Sequence, residues 1–448
     1  MIVKNALGIP VYVPEWNGHI PAGEDGENFV IETHKVHSAP SIRAALMKGY
    51  IVVKDHDAND GIEAAFAKIS AKSRKPSPST MLDDVVVRGQ MLDYSGYAKV
   101  NRNLIRCLRS HGISASADPV DLGRPQLMVE DVKNDVPLRP RCNGIVDINS
   151  VVPTYGDPGN GSMRVLYTTV ESETLPKEVI ASAKRYDQVW CVSDFCSNVM
   201  KNHGVEAKTL YPHVDGSIYC EKGPIHSFAQ PLPAFKFLTI FGASSRKVGL
   251  NTVKAFLREF DSGDDACLIV AHRDKRGEGG QKEFADSMAE LLSKSGRKNL
   301  PLVVRMPKSL SESALAKLYR SIDACVLAAR GEGFCLPYAE AALSGRPSIS
   351  PRFGGPLDFL DDTSAYLVDV EKMIIPKGSM NTVLWDETLM ADVISEDFID
   401  RLAGSMRQCF DDSPKIRSSK AGRAASRIRQ ICSNESVANQ FRKLVSAS

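Results

Sequence analysis

No run of this chain approaches the roughly 18 consecutive apolar residues of a membrane-crossing helix. None of its ten cysteines sits in a C-x-x-C pair. Cys267 in DDACLIVA and Cys325 in IDACVLAA lie inside apolar runs, so buried free thiols in a reducing compartment are expected. Charge of one sign is also lacking: 56 Lys and Arg face 54 Asp and Glu, a formal net charge of +2. That balance gives no general attraction to nucleic acid or membrane. The opening stretch MIVKNALGIPVYVPEW has no sustained apolar core and no cleavage pattern. A soluble, cytoplasmic protein is the expectation. His34, His37 and His56 have acids nearby but match no zinc spacing, so no metal is expected. No internal repeat or heptad is visible.

What is present is length and rhythm. The 448 residues suffice for two or three domains. Residues 1–80 read as a small accessory domain and linker, with strand candidates in GIPVYVPEW, NFVIETHKV and YIVVKD and a helix in SAPSIRAALMKG. The stretch KISAKSRKPSPSTMLDD reads as the linker. Residues 81–230 then alternate strands with helices, and after GPIHSFAQPLPAF the alternation restarts over 231–410. The pattern predicts α/β architecture with two doubly wound, parallel-sheet domains. Residues 411–448 read as a helical tail, with the basic residues from Lys415 to Arg429 on a solvated face.

The segment AARGEGFCLPYAEAALSGRPSIS carries the chemistry. Its loop follows the strand DACVLAA and therefore lies at the carboxyl rim of the sheet, where ligands bind in such domains. Gly331 and Gly333 flank Glu332, and Pro337 suits the first turn of a helix. The free amides at that helix start favour an anion, whereas Glu332 and Glu340 suit hydroxyl groups. A sugar nucleotide has both; surface acids in an ordinary helix cap are the alternative. Upstream, Arg246 and Lys247 in TIFGASSRKVGL precede another helix, where they would neutralise a diphosphate or simply be solvated.

GEGFCLPYAEAALSGRPSIS resembles the signature of retaining glycosyltransferases of the GT-B fold, the large group with sucrose synthase-like and mannosyltransferase-like members. Their hallmark is a Glu, seven residues, and a second Glu. YRSIDACVLAARGEGF, YDQVWCVSDFCSNVMKNHGV, YPHVDGSIY and GYAKVNRNLIRCL extend the resemblance over residues 85–410, leaving residues 1–80 outside it. It implies two Rossmann-like domains facing a cleft. It places Glu332 at the donor sugar and Glu340 on the nucleotide ribose. It also places the backbone of Gly333, Phe334, Cys335 and Leu336 at the donor sugar or phosphates, with Gly96 near the phosphates. Lys247 matches the family lysine of the diphosphate clamp. The family arginine falls near Phe241, so Arg246 is expected to replace it. His213 stands where the family has Gly, although Val214 and Asp215 are kept.

The implied reaction moves a sugar from a UDP- or GDP-linked donor to a hydroxyl of a glycan, small molecule or modified biopolymer, with retention and without a cofactor or divalent ion. The leaving phosphate would take the acceptor proton. INSVVPTYG offers no counterpart to the family histidine, and His111 closes a helix. Glu171 and Glu173 are candidates for the acceptor side, or neighbours of a Ser172 or Thr174 helix cap. Rival readings are a non-catalytic nucleotide-sugar or glycan binder on the same scaffold, a phosphorylase, and a transferase acting on hydroxylated DNA bases. For the last, Arg102, Arg106 and Arg109 share a helix at spacings of four and three and could meet phosphates. The small N-terminal domain could bind a partner, support a homo-oligomer or extend the acceptor site.

Overall fold

The computed structural model describes residues 82–93, 95–120, 136–139, 144–152, 158–242, 246–273, 278–294, 296–306, 310–380 and 385–447, with short strands at 2–5, 11–13, 18–20, 29–30 and 51–53. The chain divides into two compact units, Met1–Pro76 and Ser77–Ser448. In the first, Ile2–Asn5 pairs antiparallel with Phe29–Val30 and with Ile51–Val53, and Val11–Val13 pairs with Gly18–Ile20. The helix expected over SAPSIRAALMKG, and His34, His37 and His56, lie outside the described residues.

The second unit contains two six-stranded sheets. The first lobe comprises β1 (Val85–Gly89), α1 (Gly96–Ser110), β2 (Ala115–Pro119), β3 (Val146–Ser150), β4 (Met163–Thr168), α2 (Lys177–Ala183), β5 (Gln188–Cys191), α3 (Asp194–Asn202) and β6 (Ala207–Thr209). Its strands are all parallel, in the order β6-β5-β4-β3-β1-β2. The second lobe runs through β7 (Phe235–Gly242), α4 (Gly249–Glu259), β8 (Ala266–Arg273), α5 (Glu278–Lys294), β9 (Leu302–Met306) and α6 (Glu312–Arg320). It continues with β10 (Ala324–Val326), α7 (Leu336–Leu343), β11 (Ser348–Pro351) and β12 (Tyr366–Val368). These strands are also parallel, in the order β9-β8-β7-β10-β11-β12.

Local chemistry explains the elements. Val85, Val86 and Val87 are all fully buried, because a parallel sheet is covered on both faces and needs no polar side. Serines start the helices: Ser95, Ser193 and Ser311 each accept a backbone N–H from the first turn of α1, α3 and α6. Gly112 and Gly204, each with φ near +70°, follow α1 and α3 and let the chain turn out of the helix.

In each lobe the strand order reverses beside the first strand. The reversal in the second lobe lies between β7 and β10. The segments leaving the carboxyl ends of those two strands carry Arg246, Lys247 and Glu332, so the topology puts these residues in the crevice where open α/β sheets bind ligands.

After β12 a hairpin of β13 (Lys372–Ile374) and β14 (Leu389–Ala391) precedes α8 (Glu396–Asp411), α9 (Pro414–Cys432) and α10 (Asn434–Ser446). The basic row of α9 is the solvated face expected only at Lys415, Arg423 and Arg429; Arg417, Lys420 and Arg427 are half-buried. Arg417 donates to the carbonyls of Cys409, Phe410 and Asp412, and Lys420 to those of Asp362 and Ala365. Arg427 pairs with Asp361 at 2.6 Å. These cations cap carbonyls at a helix end and in a loop that would otherwise need water. α10 then returns to the first lobe: Phe441 meets Trp190 edge to face at 5.6 Å, and Arg442 donates to the His111 carbonyl at 2.8 Å. The interdomain segment is tied to the same place, with the Cys432 carbonyl accepting the Val214 N–H at 3.1 Å and lying 3.1 Å from His213 Nδ1. Among the described residues no helix is long and apolar enough to cross a membrane.

Candidate functional site

The two rim segments of the second lobe are laced together. Lys247 forms an isolated antiparallel bridge with Ala329, and the Arg330 N–H donates to the Arg246 carbonyl at 3.0 Å. This lacing sets Arg246 and Lys247 beside Glu332. Arg246 Nη1 lies 3.0 Å from Glu332 Oε1, and Lys247 Nζ lies 3.3 Å from the same oxygen. Arg246 also donates to the Gly331 carbonyl. Its other terminal nitrogen lies 3.3 Å from Glu171 Oε1, which comes from the first lobe just after β4. Arg246 is thus shared by one carboxylate from each lobe.

Burial raises the energy of every charge in this cluster, and the neighbours decide the outcome. For Glu332, burial pushes the carboxyl up, but Lys247 and Arg246 outweigh it and hold the group below the usual carboxylate range. For Arg246, burial pushes down while Glu332 and Glu171 keep the guanidinium charged. Glu171 goes the other way: burial dominates and its carboxyl is pushed up, despite the opposing pull of Arg246. Arg246 Nε is buried without a hydrogen-bond partner among the described residues.

Glycine permits the lobes to meet here. A Cβ on Gly333 would sit 1.6 Å from Thr169 Oγ1, and one on Gly331 would sit 1.8 Å from the Glu171 carbonyl oxygen. Gly333→Ala must therefore push the first lobe away or distort the loop. Overpacking of this kind costs about 1–3 kcal/mol, and a lowered denaturant midpoint would show it. Cys335 has φ +69° and ψ +74°, left-handed backbone that a side chain adopts only when held, and it caps α7. Leu336 and Pro337 open the helix behind it; Pro337 has no N–H, and the Tyr338 and Ala339 N–H groups donate to the Cys335 carbonyl at 3.1 and 3.5 Å. The Phe334 ring is buried against Tyr211 of the interdomain segment and Phe359.

Glu340, expected at the nucleotide ribose, has a protein partner. It is buried in α7 and paired at 2.6 Å with Lys99 of α1, across the lobes. Lys99 also meets the Tyr219 hydroxyl and lies 3.8 Å from Glu312. Gly96, three residues before Lys99, starts α1 with open space where a Cβ would be. Glu173 is bound by Lys372 of the hairpin at 2.8 Å, and His111 Nδ1 lies 3.0 Å from the Cys107 carbonyl of its own helix. The row Arg102, Arg106, Arg109 is not a phosphate-facing stripe. Arg102 is buried and donates to the carbonyls of Met91 and Asp93 at 2.6 and 3.0 Å, and Arg106 lies 3.7 Å from Glu312. Phe241, which the resemblance set near the family arginine, is a core residue packed against His272 and Phe284.

Two residues of the site had no signal in the sequence. Lys99 lies 241 positions from its partner. Trp385, on the hairpin, donates from Nε1 to Glu171 Oε2 at 3.4 Å, and its ring lies 5.5 Å from the Arg246 guanidinium carbon. The hairpin is anchored across the lobes: the Glu173 N–H donates to the Leu389 carbonyl at 2.9 Å, and the Leu389 N–H to Thr174 Oγ1 at 2.7 Å.

No family model matches the chain, and no curated protein does. Solved structures are similar in fold. Anabaena HepE, in complex with UDP and glucose, superposes with a TM-score of 0.56 at 11% identity, covering 81% of this chain and 99% of that one. A glycosyltransferase from Rickettsia africae gives 0.56 at 13% identity, with 82% and 98% covered. Sucrose-phosphate synthase from Thermosynechococcus elongatus gives 0.55 at 14% identity, with 81% and 99% covered. The two-lobed second unit of this chain has the GT-B fold.

Proposed function

We propose that the protein is a retaining glycosyltransferase that moves a sugar from a nucleoside diphosphate sugar to a hydroxyl acceptor. The observation that carries this reading is the placement of Glu332 against Arg246 and Lys247 at the strand-order reversal of a GT-B second lobe. The complex of HepE with UDP and glucose supports a nucleotide-linked donor for a chain of this fold. Diphosphate oxygens would lie against Lys247 and the positive end of α7, with the Arg246 guanidinium behind them. Glu332, kept anionic by the two cations, would accept hydrogen bonds from donor-sugar hydroxyls. As the sugar–phosphate bond breaks, charge grows on the phosphate, and fixed cations beside it stabilise that state more than the ground state. These positive groups do the work of a divalent ion, so a chelator should not slow the reaction.

The test is a donor screen. UDP-glucose, UDP-N-acetylglucosamine and GDP-mannose are each incubated with the protein, and free diphosphate is measured with and without chelator. Release with at least one donor is expected, and a transferred product should keep the donor's anomeric configuration by proton coupling. An inverted product would remove retention; no release from any donor, with or without hydroxyl acceptors, would remove transfer.

A further inference from the structure

Resting on the transferase reading, we infer that Glu171, rather than the leaving phosphate, takes the proton of the incoming acceptor hydroxyl, from the same side as the departing phosphate. The geometry begins with Arg246, whose two terminal nitrogens hold Glu332 and Glu171. A diphosphate bound to Arg246 therefore has Glu171 as its neighbour. Retention by direct displacement requires the acceptor to enter on the face the leaving group vacates. Glu171, which reaches that arginine from the first lobe opposite Glu332, would stand on that face.

Glu332 is unsuited to the proton, because two cations hold it anionic below the usual carboxylate range. Glu171 has one cation in contact, Arg246, and Lys247 acts on it more weakly. Burial and the like charge of Glu332 raise its affinity for a proton, and the Trp385 Nε1–H lowers it. On its own lobe Tyr97 and Cys196 face it, and burial lifts both above their ordinary values, so neither is a charge at neutral pH. In the step, the acceptor oxygen forms its bond to the anomeric carbon and the bond from that carbon to the phosphate oxygen breaks. The diphosphate leaves with the electron pair, and the acceptor proton passes to a Glu171 oxygen, from which solvent later removes it.

The test uses the full chain and the donor it hydrolyses best in the screen, with water and then glycerol as the hydroxyl source. Glu171→Gln should lower diphosphate release about 10²–10⁴-fold while donor affinity, by calorimetry, stays within about threefold. The wild-type rate should fall as pH drops through the Glu171 pKa, above the ordinary 4.5 of a glutamate, and this acid limb should vanish in Glu171→Gln. Glu171→Asp should recover part of the rate together with the limb. Trp385→Phe keeps the carboxylate and removes its hydrogen-bond donor, so the limb should move to higher pH; this variant decides the matter if Glu171→Gln fails to fold. Release unchanged in Glu171→Gln, affinity lost in proportion to rate, or an unmoved limb in Trp385→Phe would each overturn the inference. Release that needs Lys247 but not Glu171 would sink this inference alone. A wild type that binds no donor, or binds without turnover to either hydroxyl source, would sink the transferase reading and this inference with it.

Discussion

Lys247→Ala should lower release of nucleoside diphosphate by about 10²–10³-fold, the scale of removing one preorganised group from a developing charge. Lys247 is a quarter exposed, and Glu332 keeps Arg246 as a partner when the lysine is gone, so the fold should survive. The loss should fall mainly on kcat, because the added phosphate charge exists only as the bond breaks. Glu332→Gln should cost a similar factor by a different route. It keeps the hydrogen-bonding shape but leaves Lys247 and Arg246 without their shared anion, and the donor sugar without a charged acceptor. Circular dichroism and a denaturation midpoint near wild type would certify both variants. Full turnover in both would place the chemistry elsewhere.

The second large effect concerns stability. Lys99→Met should destabilise the two-lobed unit by about 3–5 kcal/mol, because it strands the Glu340 carboxylate without its cation in a buried site. The Glu340 side chain is 3% exposed, so water cannot replace the ammonium. Glu340→Gln should cost less, since Lys99 is nearer solvent and keeps Glu312 at 3.8 Å. Combining Lys99→Met with Glu340→Gln should recover most of the loss, the mark of a coupled pair. Urea unfolding midpoints measure all three, and a Lys99→Met protein as stable as wild type would mean that the pair contributes nothing.

Much of the scaffold was legible because its signals are local. Serines before helices, glycines after them and apolar strand runs depend on neighbours a few residues away, as the Ser95, Ser193 and Ser311 caps of α1, α3 and α6 do. The cation pair and Glu332 were legible as candidates because each follows a strand at a rim defined by alternation alone. Lys99, Trp385 and the α9 arginines were not. Their partners are set by how one surface docks on another, and no periodicity encodes that. Arg102 shows the same limit in reverse: its spacing suits an exposed row, yet the Met91 and Asp93 carbonyls draw it inside.

The chain passes between the lobes twice, once before β7 and once from α9 to α10, and the two passages touch at the Cys432 carbonyl. Two covalent connections pinned at one spot act as a clasp. Such a clasp opposes sliding and twisting of one half along the other. A protease cut in either passage alone should leave the halves attached.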